Sequence, residues 1–123
     1  MTLIDCLNIE FVHVTDEGFE SAMTLSEFHA QPMGYLNGGA TLAYAEVAAG
    51  MASMKMGAGA YVAVGQSVTA QHIRPMKAEG RLLAFGELLH ADKRNHVWSI
   101  RMKNEAGQLI SQVTVVNALL HEK

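Results

Sequence analysis

The chain has 123 residues, half of them hydrophobic, with nine Lys and Arg against twelve Asp and Glu. That length fits one domain, residues 1–123, with an apolar core that needs no staple. The single cysteine, Cys6, excludes an intrachain disulfide and fits a reducing, cytoplasmic setting, and a slightly acidic chain with no basic stripe argues against nucleic acid as a partner.

In chain order, residues 1–8 read as a short helical turn, with Asp5 and Glu10 where a signal peptide would be basic. Residues 9–15 and 18–25 read as strands joined at Asp16-Glu17-Gly18, a hairpin turn. Residues 26–36 form a loop carrying Pro32 and Gly34. Asn37 is a helix N-cap, and the helix it opens runs to residue 56 before Gly57 and Gly59 end it. About 19 residues make a rod roughly 28 Å long. It is apolar nearly all round, which predicts burial on most sides, and Glu46 and Lys55 interrupt it too soon for a membrane span. Strands follow at 61–73, 81–90, 96–103 and 109–120. The third of these alternates, with His96, Trp98, Ile100 and Met102 on one face and Val97, Ser99, Arg101 and Lys103 on the other. The order β-β-α-β-β-β-β is α+β in class and predicts an antiparallel sheet wrapped around one long central helix.

The candidate chemistry lies on that helix. Between Thr41 and Met54 the only charge is Glu46, flanked by Tyr44, Ala45, Val47 and Ala48. Keeping it ionised in apolar surroundings is costly. It needs a raised pKa, a partner or a task. Eight residues earlier, Gly38 and Gly39 start the helix. The first N–H groups there lack intrahelical partners, and the macrodipole adds partial positive charge. The six histidines show no metal-ligand spacing, and no Gly-x-Ser-x-Gly is present.

Gln31-Pro32-Met33-Gly34, Asn37-Gly38-Gly39, Glu46 and His72-Ile73-Arg74-Pro75, in this order and at these spacings, resemble the hotdog-fold acyl-CoA thioesterases. The subgroup most similar is the phenylacetate-pathway and 4-hydroxybenzoyl-CoA thioesterase type, and the resemblance covers nearly the whole chain. It implies hydrolysis of an acyl-CoA thioester with no cofactor beyond the coenzyme A of the substrate. Under it, Glu46 attacks the thioester carbon or activates water. The Gly38 N–H polarises the carbonyl, Gln31 orients the carbonyl or the water, and His72 and Arg74 lie near the nucleotide end of CoA. Two positions depart from the pattern. Many relatives carry His where this chain has Asn37, which can still cap and hydrogen-bond. Many also carry Ser or Thr one turn after the glutamate, where Gly50 offers no hydroxyl to hold water.

Granting both roles, spacing has a consequence. Gly38 and Glu46 lie roughly 12 Å apart along one helix, too far to meet at one carbonyl. The two groups must then come from different copies, which predicts a homodimer with shared sites and leaves room for pairing into a homotetramer. Plainer readings stand beside these. Glu46 serves a structural pair, Gly38-Gly39 a tight helix start, and Gln31 an ordinary loop. His72, Arg74, Lys93 and Arg94 are either solvated or open to CoA phosphates. Met51 and Met54 are either core filler or a soft acyl pocket. Asn37 and Gly50 leave open a non-catalytic acyl-CoA or acyl-carrier binding module. A dehydratase would pair a His with its acid, and only His29 is near. The acyl group is not readable, since Tyr35, Tyr44 and Tyr61 suit an aryl group and the methionines an aliphatic one.

Overall fold

Thr2 and Asp5 cap each other reciprocally and fix a short helix, α1 (Leu3–Leu7), at the start of the residues 1–122 that the computed structural model describes. The Thr2 N–H and hydroxyl together hold the Asp5 carboxyl below its usual range. β1 (Ile9–Val14) and β2 (Gly18–Thr24) form the expected hairpin. The segment 26–36 is more ordered than a plain loop: it holds a 3₁₀ turn at Glu27–His29, capped by Ser26. His29 is buried there, with Nδ1 accepting from Ser26 N–H and Nε2 donating to the Leu7 carbonyl at 2.6 Å. It therefore ties the loop to α1.

Then come α2 (Gly38–Gly57), β3 (Tyr61–His72), β4 (Arg81–Ala91), β5 (Asn95–Lys103) and β6 (Leu109–His121). The strands make one antiparallel sheet in the order β1-β2-β4-β5-β6-β3. β3 thus pairs only with β6 and forms an edge. The alternation read from the sequence holds, with His96, Trp98, Ile100 and Met102 all inward, beside Val113 and Val115. Tyr44, Ala45, Ala48, Ala49 and Ala52 of α2 are buried in the same core. Small side chains let the helix backbone come close to the sheet, while Trp98 and Phe19 fill the space around it edge to face, 5.2 Å between centroids.

Burial of α2 on most sides does not hold in the single chain. One sheet covers one side of a helix, and Glu46, Met54, Lys55 and Met56 lie exposed on the other. The chain's own core therefore does not enclose Glu46, despite its apolar neighbours in sequence.

The C-terminal half of α2 is pinned by a buried polar network. Ser53 Oγ accepts from Trp98 Nε1–H at 2.9 Å and from Asn117 Nδ2–H at 3.1 Å. With both lone pairs engaged, its proton goes to His96 Nδ1, 2.8 Å away. His96 is thereby held as the neutral Nε2–H tautomer. Burial lowers its pKa, opposed by the charge of Asp92. Tyr61 completes the tie by donating to the Ser53 carbonyl at 2.8 Å.

Replacing Ser53 by Ala leaves three buried polar groups short of a partner, each costing about 1–3 kcal/mol. Ser53→Ala is expected to lower unfolding free energy by at least ~2 kcal/mol in urea melts. The pH dependence has a definite sign. Unfolded His96 binds a proton more readily than folded His96, so its contribution is complete above the ordinary value of 6.5 and is lost as pH falls toward the lowered folded value. Urea midpoints between about pH 7.5 and 5.5 should fall for the native chain and fall less for His96→Gln.

Candidate active site

At the start of α2, Asn37 adopts an extended conformation and its Oδ1 accepts the Gly39 N–H at 2.8 Å. Its carbonyl takes the N–H groups of Ala40 and Thr41. The N–H of Gly38, between these, has no hydrogen-bond partner among the described residues. Gly38 lines a cavity of about 360 Å³ shared with Gln31, Tyr35, His72, Arg74 and Ser111. The His72 ring packs directly on Gly38, where an added Cβ would lie 2.8 Å from His72 Nε2. His72 Nδ1 faces Ser111 Oγ at 3.0 Å, which aims the other ring nitrogen at the helix start. Gln31 holds its own loop: its Oε1 accepts from the N–H groups of Met33 and Tyr35. Its Nε2 makes no hydrogen bond among the described residues.

Glu46 opens elsewhere. It lines a separate groove of about 210 Å³ with Val47, Gly50, Met51, Met54 and Gly65. Its carboxylate lies across β3 at Gly65, where a Cβ would stand 2.0 Å from Glu46 Oε2. β3 also bulges here, because its register with β6 shifts between Gly65 and Ser67. The extra residue, Gln66, is anchored by Asn95 Nδ2 at 2.9 Å. A glycine inside a Val-rich strand is a signal of close backbone approach, but nothing in the chain's linear order names Glu46 as the group that approaches.

The structure thus brings Gln31, Gly38, His72 and Arg74 around one cavity, sets Asn37 beside Gly38 but on a different cavity with Leu3, Phe28 and Gly39, and separately brings Glu46 to Met51 and Met54. The two groups stand about 12 Å apart along an unbroken helix. Arg94 joins neither. It sits in the β4–β5 turn, where Asp92 Oδ1 accepts its N–H at 2.8 Å and its carbonyl accepts from Leu119. That is the end of the sheet opposite Ser111 and His72. In the same turn His90, then the Asn95 and Arg94 N–H groups, hold the Asp92 carboxyl at about 2. Among the described residues no three His, Cys, Asp or Glu side chains cluster to hold a metal ion, and no helix is long and apolar enough to cross a membrane.

Acyl transfer needs fixed donors where charge builds on the carbonyl oxygen, and a group that attacks the carbonyl or activates the attacker. A six-stranded antiparallel sheet packed on one long helix, with a cavity at the helix start and a separate groove along it, is the hotdog arrangement of thioester hydrolases. The chain belongs to the thioesterase superfamily, whose model matches residues 33–111. It is 31% identical over 118 residues to the 1,4-dihydroxy-2-naphthoyl-CoA hydrolase of Escherichia coli, covering 96% of this chain and 86% of that one. Among solved structures, yhdA from Lactococcus lactis matches with a TM-score of 0.97 at 54% identity, over 99% of this chain and 100% of that one. Thioesterase PA1618 from Pseudomonas aeruginosa matches with a TM-score of 0.90 at 30% identity, covering 98% and 87%.

The seat of Glu46 is testable. In Gly65→Ala the atoms nearest the new methyl all belong to the flexible Glu46 side chain, so the fold should tolerate it while the carboxylate is pushed aside. Thioester hydrolysis, followed by thiol release, is expected to fall about 10- to 100-fold with the urea midpoint little changed.

Proposed function

We propose that the chain hydrolyses acyl-CoA thioesters to free acid and CoA at two equivalent sites shared across a homodimer. Each site takes Gln31 and Gly38 from one protomer and Glu46 from its partner. The observation that carries this reading is that the unpartnered Gly38 N–H and the Glu46 carboxylate sit on one rigid helix and open into different cavities. No side-chain rotation closes that gap; a second copy does.

The edge strand supports the same arrangement. β3 has one free backbone edge along its twelve residues, with Val62 and Val64 exposed. Such an edge is a template for another strand. Antiparallel pairing of two β3 edges runs the Gly65 stretch of one chain toward the His72 end of the other. It also carries Arg94 toward the partner's cavity, where Arg74 is exposed and suits the CoA phosphates. Pairing of such dimers into a homotetramer belongs to the same reading, with exposed Leu89 and Leu120 as available apolar surface.

In the reaction, the thioester oxygen accepts from the Gly38 N–H and Gln31 Nε2. Asn37 serves by capping Gly39, which leaves the Gly38 donor free. Glu46 either takes a proton from a water whose oxygen attacks the carbonyl carbon, or attacks it directly to form a mixed anhydride that water then cleaves. In both routes the C–S bond breaks and CoA leaves as a thiolate that takes up a proton. The reaction needs no cofactor other than the CoA of the substrate, and a CoA ester as substrate fits a cytoplasmic enzyme.

Glu46→Gln is expected to lower kcat at least ~100-fold without shifting the unfolding midpoint. Sharing has a sharper test. Gly38→Pro removes the donor at the first helical position, where the backbone tolerates proline, though its Cβ must displace the His72 ring. Glu46→Ala and Gly38→Pro protomers, each inactive alone, form mixed dimers with one intact site, so an equal mixture should regain about a quarter of native activity. No regain in verified mixed dimers, or tight acyl-CoA binding by the native chain without thiol release, overturns the reading.

A further inference from the structure

The groove at Glu46 continues past the carboxylate. It follows the exposed side of α2 from Glu46 through Gly50 to Met54, with Ile4 of α1 and Ala63 of β3 as its walls. Residues 46, 50 and 54 lie one turn apart on the same face, so the path is about 12 Å long. Gly50 leaves that path open: a Cβ built there would meet nothing within 4 Å. Apart from Glu46, every lining side chain is hydrocarbon or thioether.

We propose that this groove is the acyl slot and that it selects unsubstituted aliphatic acyl groups of medium length, with Gly50 setting how far they reach. The inference rests on Glu46 being the catalytic carboxylate. A thioester carbon within reach of Glu46 has its acyl chain attached one bond away, and the apolar path leading on from that point runs over Gly50. An acyl hydroxyl carried into the slot would lose its water and find no side-chain donor or acceptor besides Glu46. Hydroxylated aryl acids are thereby disfavoured. Methionine walls adapt to a flexible chain better than to one rigid outline. A path of that length takes an extended chain of roughly eight to ten carbons.

The experiment measures kcat/KM by thiol release for acetyl-, octanoyl- and 4-hydroxybenzoyl-CoA. The native chain should favour octanoyl over 4-hydroxybenzoyl by at least about tenfold. Gly50→Leu, which fills the slot, should lower the octanoyl-to-acetyl ratio by at least about tenfold, with Gly50→Ala in between. A ratio that Gly50→Leu leaves unchanged, or a native preference for the hydroxybenzoyl ester, overturns the inference. Should Gly50→Leu release too little thiol to compare, calorimetry of the same variant with octanoyl-CoA and acetyl-CoA decides. Selective loss of octanoyl-CoA binding supports the slot, and equal weakening of both overturns it. Failure of the underlying catalytic reading looks different, because Glu46→Gln would then keep the native rate on all three esters.

Discussion

A helix is a rigid rod, and two groups eight residues apart on it cannot meet. Most of what is distinctive in this molecule follows from that constraint. The donor needs the helix start, where N–H groups are free of intrahelical bonds. The carboxylate stands about two turns on, where the backbone offers no free donor. The fold keeps both on α2, exposes Glu46 instead of burying it, and leaves β3 at the sheet edge. Within one chain each half is well formed, and the reaction as proposed is completed by symmetry.

Rigidity makes that division workable. α2 is held at two levels, and neither depends on the reacting groups. Near its first turns Tyr44 is buried and donates to Ser21 Oγ at 2.7 Å, its own proton held so firmly by burial that its pKa rises well above the ordinary value. Toward its end, Ser53 collects bonds from Trp98 and Asn117 and gives one to His96. Side chains from β2, β5 and β6 thus fix the rotation of the helix about its axis. Rotation is what decides whether position 46 faces the β3 edge or the sheet. A polar network at this depth is unforgiving, since each member left unpaired is costly, and that cost specifies one orientation of α2.

Close approach shapes both cavities. Gly38 admits the ring of His72, and Gly65 admits the carboxylate of Glu46; in each case a methyl would occupy the space of that side chain. The two glycines reach this by different routes. Gly38 begins a helix, and Gly65 sits at a bulge where β3 accommodates an extra residue against β6. His72 consequently covers the start of α2, and Arg74 lies further along the same cavity.

The sequence by itself determined the elements, the inward face of β5, the cap at Asn37, and the separation of Gly38 from Glu46, because each depends on residues near one another along the chain. Period-2 alternation, a capping side chain and the rise of a helix are local properties, and they were legible. Tertiary structure alone decided that Glu46 is exposed, that Gly65 lies beneath it, that His72 covers Gly38, that Arg94 is remote from both, and that Ser53, His96, Trp98 and Asn117 form one network. Those facts depend on which strand becomes the sheet edge and how α2 is rotated upon the sheet. Both are set by contacts between residues tens of positions apart, and no local pattern encodes them.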